Sequence, residues 1–597
     1  MSNIDSNKIN FIQTLRSLAF FFVLLFHLDI KFFSGGYLGV NLFFILSGFI
    51  ITKISFDIKN PNSIKEIFIF LKKRVYKLFP FLFITIIFVN IAGFFILGQN
   101  LYSKLHLQSV SSIFFVSNIY YYFEAGYFDF YSKQNPLLHI WSLAVELQFY
   151  CIFIFFIYFF SSYYKKLRFY LILTIIFFSL IFIIKNKINL IFYFSLFRFY
   201  EFLLGSIVFL IYNKFSLRKF NNLSCISGLA LIVTTIILSD PNSQFKIYIP
   251  FLLFAGFLLI AIRGKTVLDK YIFNSPVINY FGNESYLFYL IHWPVIIFYK
   301  IFTNNSNFNL IDLVIIVILI LFFKLMYEFL YSFFSTKKKI SYKNFLIVLA
   351  ILIIIFPNNF KGSAAKIDND YYENFESNDV YGKKILLIGD SHAQHLYYGI
   401  KKNNKNIKLI QNNFLIDDNF QLNIKDKIDE FTPDIIIFSL RWDHNKKINK
   451  IKFEWNAEFD NDVFNYYKNE LISVSKILTE NTNLIIFGSL PMIGYASSSF
   501  DCLSRRLKFK KNICEYSQIN ENKAILQRYK FNNFMQKNLK DSNIKFINPF
   551  NFLCEKSKCK NIIDNKHIYI DDSHLTKNGS LIIANELILK SPYFEKN

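Results

Sequence analysis

The sequence predicts a polytopic α-helical membrane domain of about 11 spans, followed by an extracytoplasmic α/β domain. Three observations carry that reading. The 597-residue chain is 53% hydrophobic and 20% aromatic, with a mean hydropathy of +0.33, which a soluble enzyme of this size does not normally show. Apolar stretches crowd residues 9–357, and the remainder is globular in composition. Beyond residue 383, short apolar runs such as Lys384–Gly389, Pro433–Leu440 and Asn483–Leu490 alternate with helical patterns such as 464–480 and 577–590. That is the rhythm of a parallel sheet covered by helices. The expected division is a membrane domain at 1–357, a polar linker at 358–382 and an α/β domain at 383–597.

Candidate spans run near 9–30, 37–55, 78–97, 141–160, 167–184, 190–212, 223–239, 246–262, 284–302, 310–334 and 344–357, with 107–123 shorter and ambiguous. The formal net charge of +24 does not require a nucleic-acid partner. Lys72, Lys73, Arg74 and Lys77, and again Lys337, Lys338, Lys339 and Lys343, fall in expected loops between spans, where the positive-inside bias explains them. With the loop at 59–77 cytoplasmic, the amino terminus is cytoplasmic and Gly35–Gly39 lie at the outer side. The Lys337–Lys343 loop is inside as well, so the span at 344–357 carries the tail outward. No small-residue cleavage site follows the first apolar run, and it is expected to remain as an anchor.

The cysteines agree with this placement. Cys151 and Cys225 sit in apolar segments, whereas Cys502, Cys514, Cys554 and Cys559 all fall in the tail. An even set there suggests disulfides and an oxidising compartment, with Cys502–Cys514 and Cys554–Cys559 preferred among three connectivities. A four-cysteine zinc site is the rival, but the spacings are not the short paired kind; no metal is predicted.

Arg16 and His27 lie in the first span, where ionisable groups are costly and face a cavity, a partner or a pathway. Eleven helical steps place both on one face, about 16 Å apart along the axis, as one wall of a polar cavity. The alternative is a snorkelling arginine and an interfacial histidine. Glu146, with His139 one to two turns earlier, is a further acid in a span. A buried carboxylate needs a cationic or hydrogen-bonded partner, and Arg16 and Arg198 are the candidates.

In the tail, Ile385-Leu386-Leu387-Ile388-Gly389-Asp390-Ser391-His392 reads as a buried strand ending in Gly-Asp-Ser before a helix. Such a serine sits beside a helix amino terminus whose N–H groups stabilise an oxyanion. Near the other end stands Asp571-Asp572-Ser573-His574, whose Asp-x-x-His spacing lets His574 act as base for Ser391 while Asp571 orients the imidazole. Together, over about 383–590, these motifs resemble the SGNH hydrolase superfamily, a three-layer α/β fold. The resemblance implies Ser391 as nucleophile, with its backbone N–H in the oxyanion hole, His574 as general base and Asp571 as its support. No Gly-x-Asn-Asp block is visible, which leaves the usual oxyanion asparagine unassigned; the block Gly488-Ser489-Leu490-Pro491 is a candidate source of a loop N–H.

The membrane half resembles the acyltransferase family 3 domain over about 9–334. The matching motifs are Arg16-x10-His27, Gly36 through Phe49, Lys73-Arg74-x-x-Lys77 with Pro80, Pro136 through Tyr150, Arg198-x-x-Glu201 with Gly205, and Gly282 through His292-Trp293-Pro294. Asn41 departs from the family's usual Asp, and Lys replaces Arg at 73 and 77. The resemblance implies an acyl-CoA donor, acetyl-CoA above all, with Lys73, Arg74 and Lys77 meeting its phosphates and His27 and Arg16 acting in the cavity; Glu146, from its place in a span, is expected to join them. It further implies a multi-pass protein of the bacterial inner membrane with a periplasmic tail. Its acceptor would be a sugar hydroxyl of a cell-surface or lipid-linked polysaccharide of the lipopolysaccharide O-antigen type. Two other functions fit parts of the chain: a membrane-anchored SGNH carbohydrate esterase, and a glycolipid or acyl transporter with an accessory domain.

Overall fold

A computed structural model describes residues 10–336 except 59, 62, 125–133, 184–191, 215–220, 240–248, 262–267 and 304–307. It also describes 382–590 except 405, 412–419, 441, 443–460, 480, 493–501, 503–504, 508–513, 520–522, 541–543, 570–573 and 589. The chain forms two compact units, one mainly from residues up to 359 and one mainly from 360 onward.

The first unit is helical. Six described helical segments are long and apolar enough to cross a membrane: Asn10–His27, Phe32–Ser55, Ile64–Ile96, Leu138–Phe159, Ser285–Thr303 and Leu310–Phe329. Shorter apolar helices occupy Leu167–Phe178, Asn222–Ile237 and Ile249–Ala261. The segment at 107–123 divides into helices Gln99–Ile113 and Ser117–Glu124, and the span at 344–357 lies outside the described residues. One expectation is corrected: most of the basic segment 59–77 is not a loop. The helix Ile64–Ile96 runs through it, with Pro80 inside. Lys and Arg are good helix formers, so the basic stretch continues the helix rather than ending it.

Small residues let the Gly39–Ser55 and Phe199–Lys214 helices approach closely. A Cβ at Gly48 would stand 1.8 Å from the Phe202 carbonyl oxygen, and one at Gly205 would stand 1.7 Å from that of Ile45. The Thr52 and Ser206 hydroxyls hydrogen-bond across the same seam at 2.7 Å. On the Leu310–Thr336 helix the outward side chains include Ile318, Phe322, Leu325 and Phe329, as expected for a surface against hydrocarbon.

The second unit is a three-layer α/β domain. Its sheet contains β1 (Ile385–Gly389), β2 (Ile407–Gln411), β3 (Ile435–Ser439), β4 (Asn483–Phe487) and, after the short β5 (Tyr516–Gln518), β6 (Ile544–Ile547). The order is β2-β1-β3-β4-β6, all parallel. β1 and β3 are buried along their whole length, as strands covered on both faces must be. Alternate side chains feed two cores. Ile385 and Leu387 pack with Leu396, Ile400 and Ile583 on one face; Leu386 and Ile388 pack with Phe464, Tyr467, Leu471 and Phe531 on the other. A small antiparallel sheet joins β5 to β8 (Lys558–Lys560) and β8 to β7 (Cys554–Glu555). Disulfides join Cys502 to Cys514 and Cys554 to Cys559, the preferred connectivity, so no tail cysteine is left as a thiolate for the rival zinc site.

Candidate functional site

The strand order reverses direction at β1, with β2 on one side and β3 on the other. In open parallel sheets the crevice beyond the carboxyl ends at such a switch point is the usual ligand site. Gly389 ends β1 with φ +159, and a Cβ there would meet the Ser439 carbonyl oxygen at 1.9 Å. Only glycine lets β1 turn into the next helix this close to β3. The helix Ser391–Asn403 starts at once, with the Asp390 carboxylate capping it by accepting from the His392 N–H at 2.8 Å. Ser391 therefore stands at the first helical position above the sheet.

His574 reaches Ser391 from the far end of the domain, its Nε2 2.7 Å from Ser391 Oγ. The residues after it are anchored to Ile568 and Tyr569, by the Tyr569–Leu575 bridge and by the Thr576 N–H on the Ile568 carbonyl at 2.9 Å. Burial pushes the Tyr569 hydroxyl well above the usual phenol range, so this anchor stays neutral. The following helix Lys577–Ile583 packs on the serine helix, where the Gly399 N–H donates to Ser580 Oγ at 2.8 Å. The buried rings of His392 and His395 lie 5.2 and 5.7 Å from that of His574, and the Leu575 N–H donates to His395 Nδ1 at 3.4 Å. Asp571 lies outside the described residues.

The loop Gly488–Pro491 does not supply the expected oxyanion donors from its first two residues. The Gly488 N–H is spent on the Ile547 carbonyl at 2.9 Å, and the Ser489 N–H on the Asn532 side chain at 2.9 Å. Asn532 also donates to the Ser489 carbonyl at 2.9 Å. It clamps the loop as structure.

In the membrane unit, His27 ends the first helix and is buried. Its Nδ1 lies 3.0 Å from Nε2 of His292 on the Ser285–Thr303 helix, and the Trp293 ring packs against it at 4.5 Å. The His139 ring stands 5.9 Å from that of His292, with its Nε2 3.1 Å from the Leu290 carbonyl oxygen. The sequence reading missed this histidine group because its members lie in three separate segments; the His292-Trp293-Pro294 motif was the available signal.

Glu146 accepts from Ser47 Oγ at 2.8 Å and from the Tyr150 hydroxyl. Arg16 is half-buried within electrostatic reach of Glu146, Tyr150 and Arg74. Arg198, the other proposed partner of Glu146, is committed elsewhere. It pairs with Glu201 at 3.2 Å and lies over the Phe44, Phe192 and Trp141 rings at 5.3, 5.7 and 5.8 Å. Asn41 completes that cluster by donating to Glu201 at 3.3 Å, a role that a carboxylate at 41 would turn into repulsion. The expected trio Lys73, Arg74 and Lys77 lies on the Ile64–Ile96 helix. Arg74 is half-buried with its guanidinium 5.7 Å from the Tyr150 ring, while Lys73 and Lys77 are exposed.

Comparison with known families agrees with both halves. Residues 9–327 match the model of the family 3 acyltransferase domain, and residues 361–588 match the SGNH domain described as fused to AT3 domains. Among curated relatives, the peptidoglycan O-acetyltransferase OatA of Listeria monocytogenes is 29% identical over 308 residues, 48% of this chain and 49% of its own length. The O-acetyltransferase OatA of Staphylococcus aureus (strain MRSA252) is 27% identical over 374 residues, 57% of this chain and 61% of its own. The chain thus spans about half to three fifths of the length of these relatives. With a family model matching more than half of its residues, the chain belongs to the family 3 acyltransferases, in the form that carries a fused SGNH domain.

Proposed function

We propose that the protein is a membrane O-acetyltransferase that moves an acyl group from a cytoplasmic acyl-CoA to a sugar hydroxyl of a cell-envelope polysaccharide. The observation that carries this reading is the 2.7 Å contact of Ser391 with His574 at the sheet's switch point, in a chain whose other half is a family 3 acyltransferase domain. The proposed topology is eleven spans in the inner membrane, amino terminus inside and tail outside. The disulfides support an oxidising location for the tail.

In the membrane unit His27 is the base, and Arg16 and Glu146 shape the charge around the transferred group. In the tail Ser391 Oγ attacks the delivered acyl carbon, and its proton passes to His574 and leaves with the acyl carrier. The sugar hydroxyl then attacks the acyl-serine, gives its proton to His574, and Ser391 recovers it. Asp571 orients His574, and the Ser391 N–H at the helix start helps hold the oxyanion. The Listeria relative's name specifies peptidoglycan, and that is the acceptor we favour over lipopolysaccharide O-antigen.

The test is alkali-labile acetate in separated peptidoglycan and lipopolysaccharide fractions from strains carrying wild type, Ser391→Ala, His574→Ala or His27→Ala. Loss of acetate from peptidoglycan in all three variants, with protein levels unchanged, is the expected result. Wild-type acetate in normally expressed Ser391→Ala and His27→Ala strains rejects the mechanism. A rise in acetate in Ser391→Ala identifies an esterase instead, because the same serine and histidine hydrolyse an ester when water replaces the sugar.

A further inference from the structure

His292 stands beside His27 with no part in the proton transfer proposed above. It is fully buried, and its Nδ1 lies 2.8 Å from the Tyr289 carbonyl oxygen and 3.2 Å from that of Phe288. A carbonyl oxygen only accepts, so Nδ1 of His292 carries a hydrogen. In the neutral ring its Nε2 then carries the lone pair. That lone pair faces His27 Nδ1 at 3.0 Å, so the hydrogen of this bond belongs to His27 Nδ1, and the lone pair of His27 resides on Nε2. The competing arrangement is a doubly protonated His292 donating to His27. It would place a charge among Phe20, Tyr289 and the His139 ring, where no ion pair to His292 is recorded among the described residues, and an uncompensated buried charge is strongly disfavoured.

We propose that His292 is a positioning residue that holds His27 in the tautomer with hydrogen on Nδ1 and the lone pair on Nε2, making Nε2 the atom that takes the acceptor's proton. This rests on the reading of His27 as the base. The control begins in the backbone: the carbonyls of Phe288 and Tyr289 orient His292, and His292 orients His27, as an outer carbonyl orients a metal-bound histidine. Trp293 holds the His27 ring from another side, its own indole N–H donating to the Asn135 carbonyl at 2.8 Å. In the step itself, which loads the acyl carrier that later meets Ser391, the carrier's acceptor oxygen bonds to the acyl carbon as its proton moves to His27 Nε2. The thioester sulfur leaves and takes that proton, and His292 neither gains nor loses one.

Solid-state 15N spectra of the membrane-embedded full-length protein, labelled at histidine, read the tautomer directly, with His27 assigned by its loss in His27→Gln. Wild type should show His27 protonated at Nδ1 and unprotonated at Nε2. His292→Leu should shift the hydrogen toward Nε2 and lower envelope acetate about 10- to 100-fold, the usual cost of losing such a partner. His292→Gln, whose amide oxygen can accept from His27 Nδ1, should restore most of both signals. A wild-type His27 protonated at Nε2 overturns the inference, and that spectrum needs no substitution at 292. Wild-type acetate in His292→Leu alongside loss in His27→Gln removes the positioning role alone; wild-type acetate in His27→Gln removes His27 as the base.

Discussion

Arg198 and Glu201 show how the membrane unit tolerates charge. Both side chains are almost completely buried, and aromatic rings surround the guanidinium. Removing one partner of a buried pair leaves the other charge uncompensated, at about 3–5 kcal/mol. Arg198→Met should therefore sharply lower the thermal stability of the detergent-solubilised protein, and Arg198→Met with Glu201→Leu should recover much of it. An additive double variant would show that the two act separately. In the tail, His574→Ala should abolish acetate transfer, whereas Asp571→Asn should leave a measurable remainder, because an orienting carboxylate is partly replaceable and a base is not. Ser391 and His574 were legible in the sequence because each sits in a short motif at a recognisable element boundary. The pairing of His27 with His292 was not, since 265 positions separate two residues whose roles depend on one 3.0 Å contact.

Helices and strands differ in how openly the sequence declares them. β1 and β3 are continuous apolar runs closed by glycine or serine, and their buried state follows from composition alone. The Ile64–Ile96 helix was hidden because charge was read as loop, although its basic residues favour helix as much as its apolar ones. The seam between Gly39–Ser55 and Phe199–Lys214 was also hidden, since small residues announce close approach without naming the partner. Gly205→Val should disrupt that seam: its new atoms have no room beside the Ile45 carbonyl, and overpacking costs about 1–3 kcal/mol. A lower midpoint of thermal unfolding would show this, and an unchanged midpoint would mean that the helices can separate. For the disulfides, Cys502→Ser should expose the tail to protease more than Cys554→Ser, because the first bridge spans 12 positions and the second only 5, and a longer closed loop restrains the unfolded chain more.

Across the whole molecule, hydropathy and charge set the expected topology. A reporter fused after residue 597 should be active only outside the cytoplasm, and activity only inside would reject the two-sided route. The span count was less legible than the existence of a membrane unit, because apolar runs such as those at 107–123 and 344–357 fall short of a full crossing in the sequence itself. The two disulfides carry a further meaning. Cys554 and Cys559 join neighbouring strands of the small sheet, and Cys502 and Cys514 belong to the core beneath the serine helix, so on the proposed topology oxidation would accompany maturation of this domain. A tail stranded on the reducing side of the membrane would lack both covalent ties. Its reactive serine would then be poorly assembled where soluble thioesters and esters abound, and fully formed only after export. On the proposed topology, the bridges would thereby insulate cytoplasmic acyl pools from a hydrolytic side reaction.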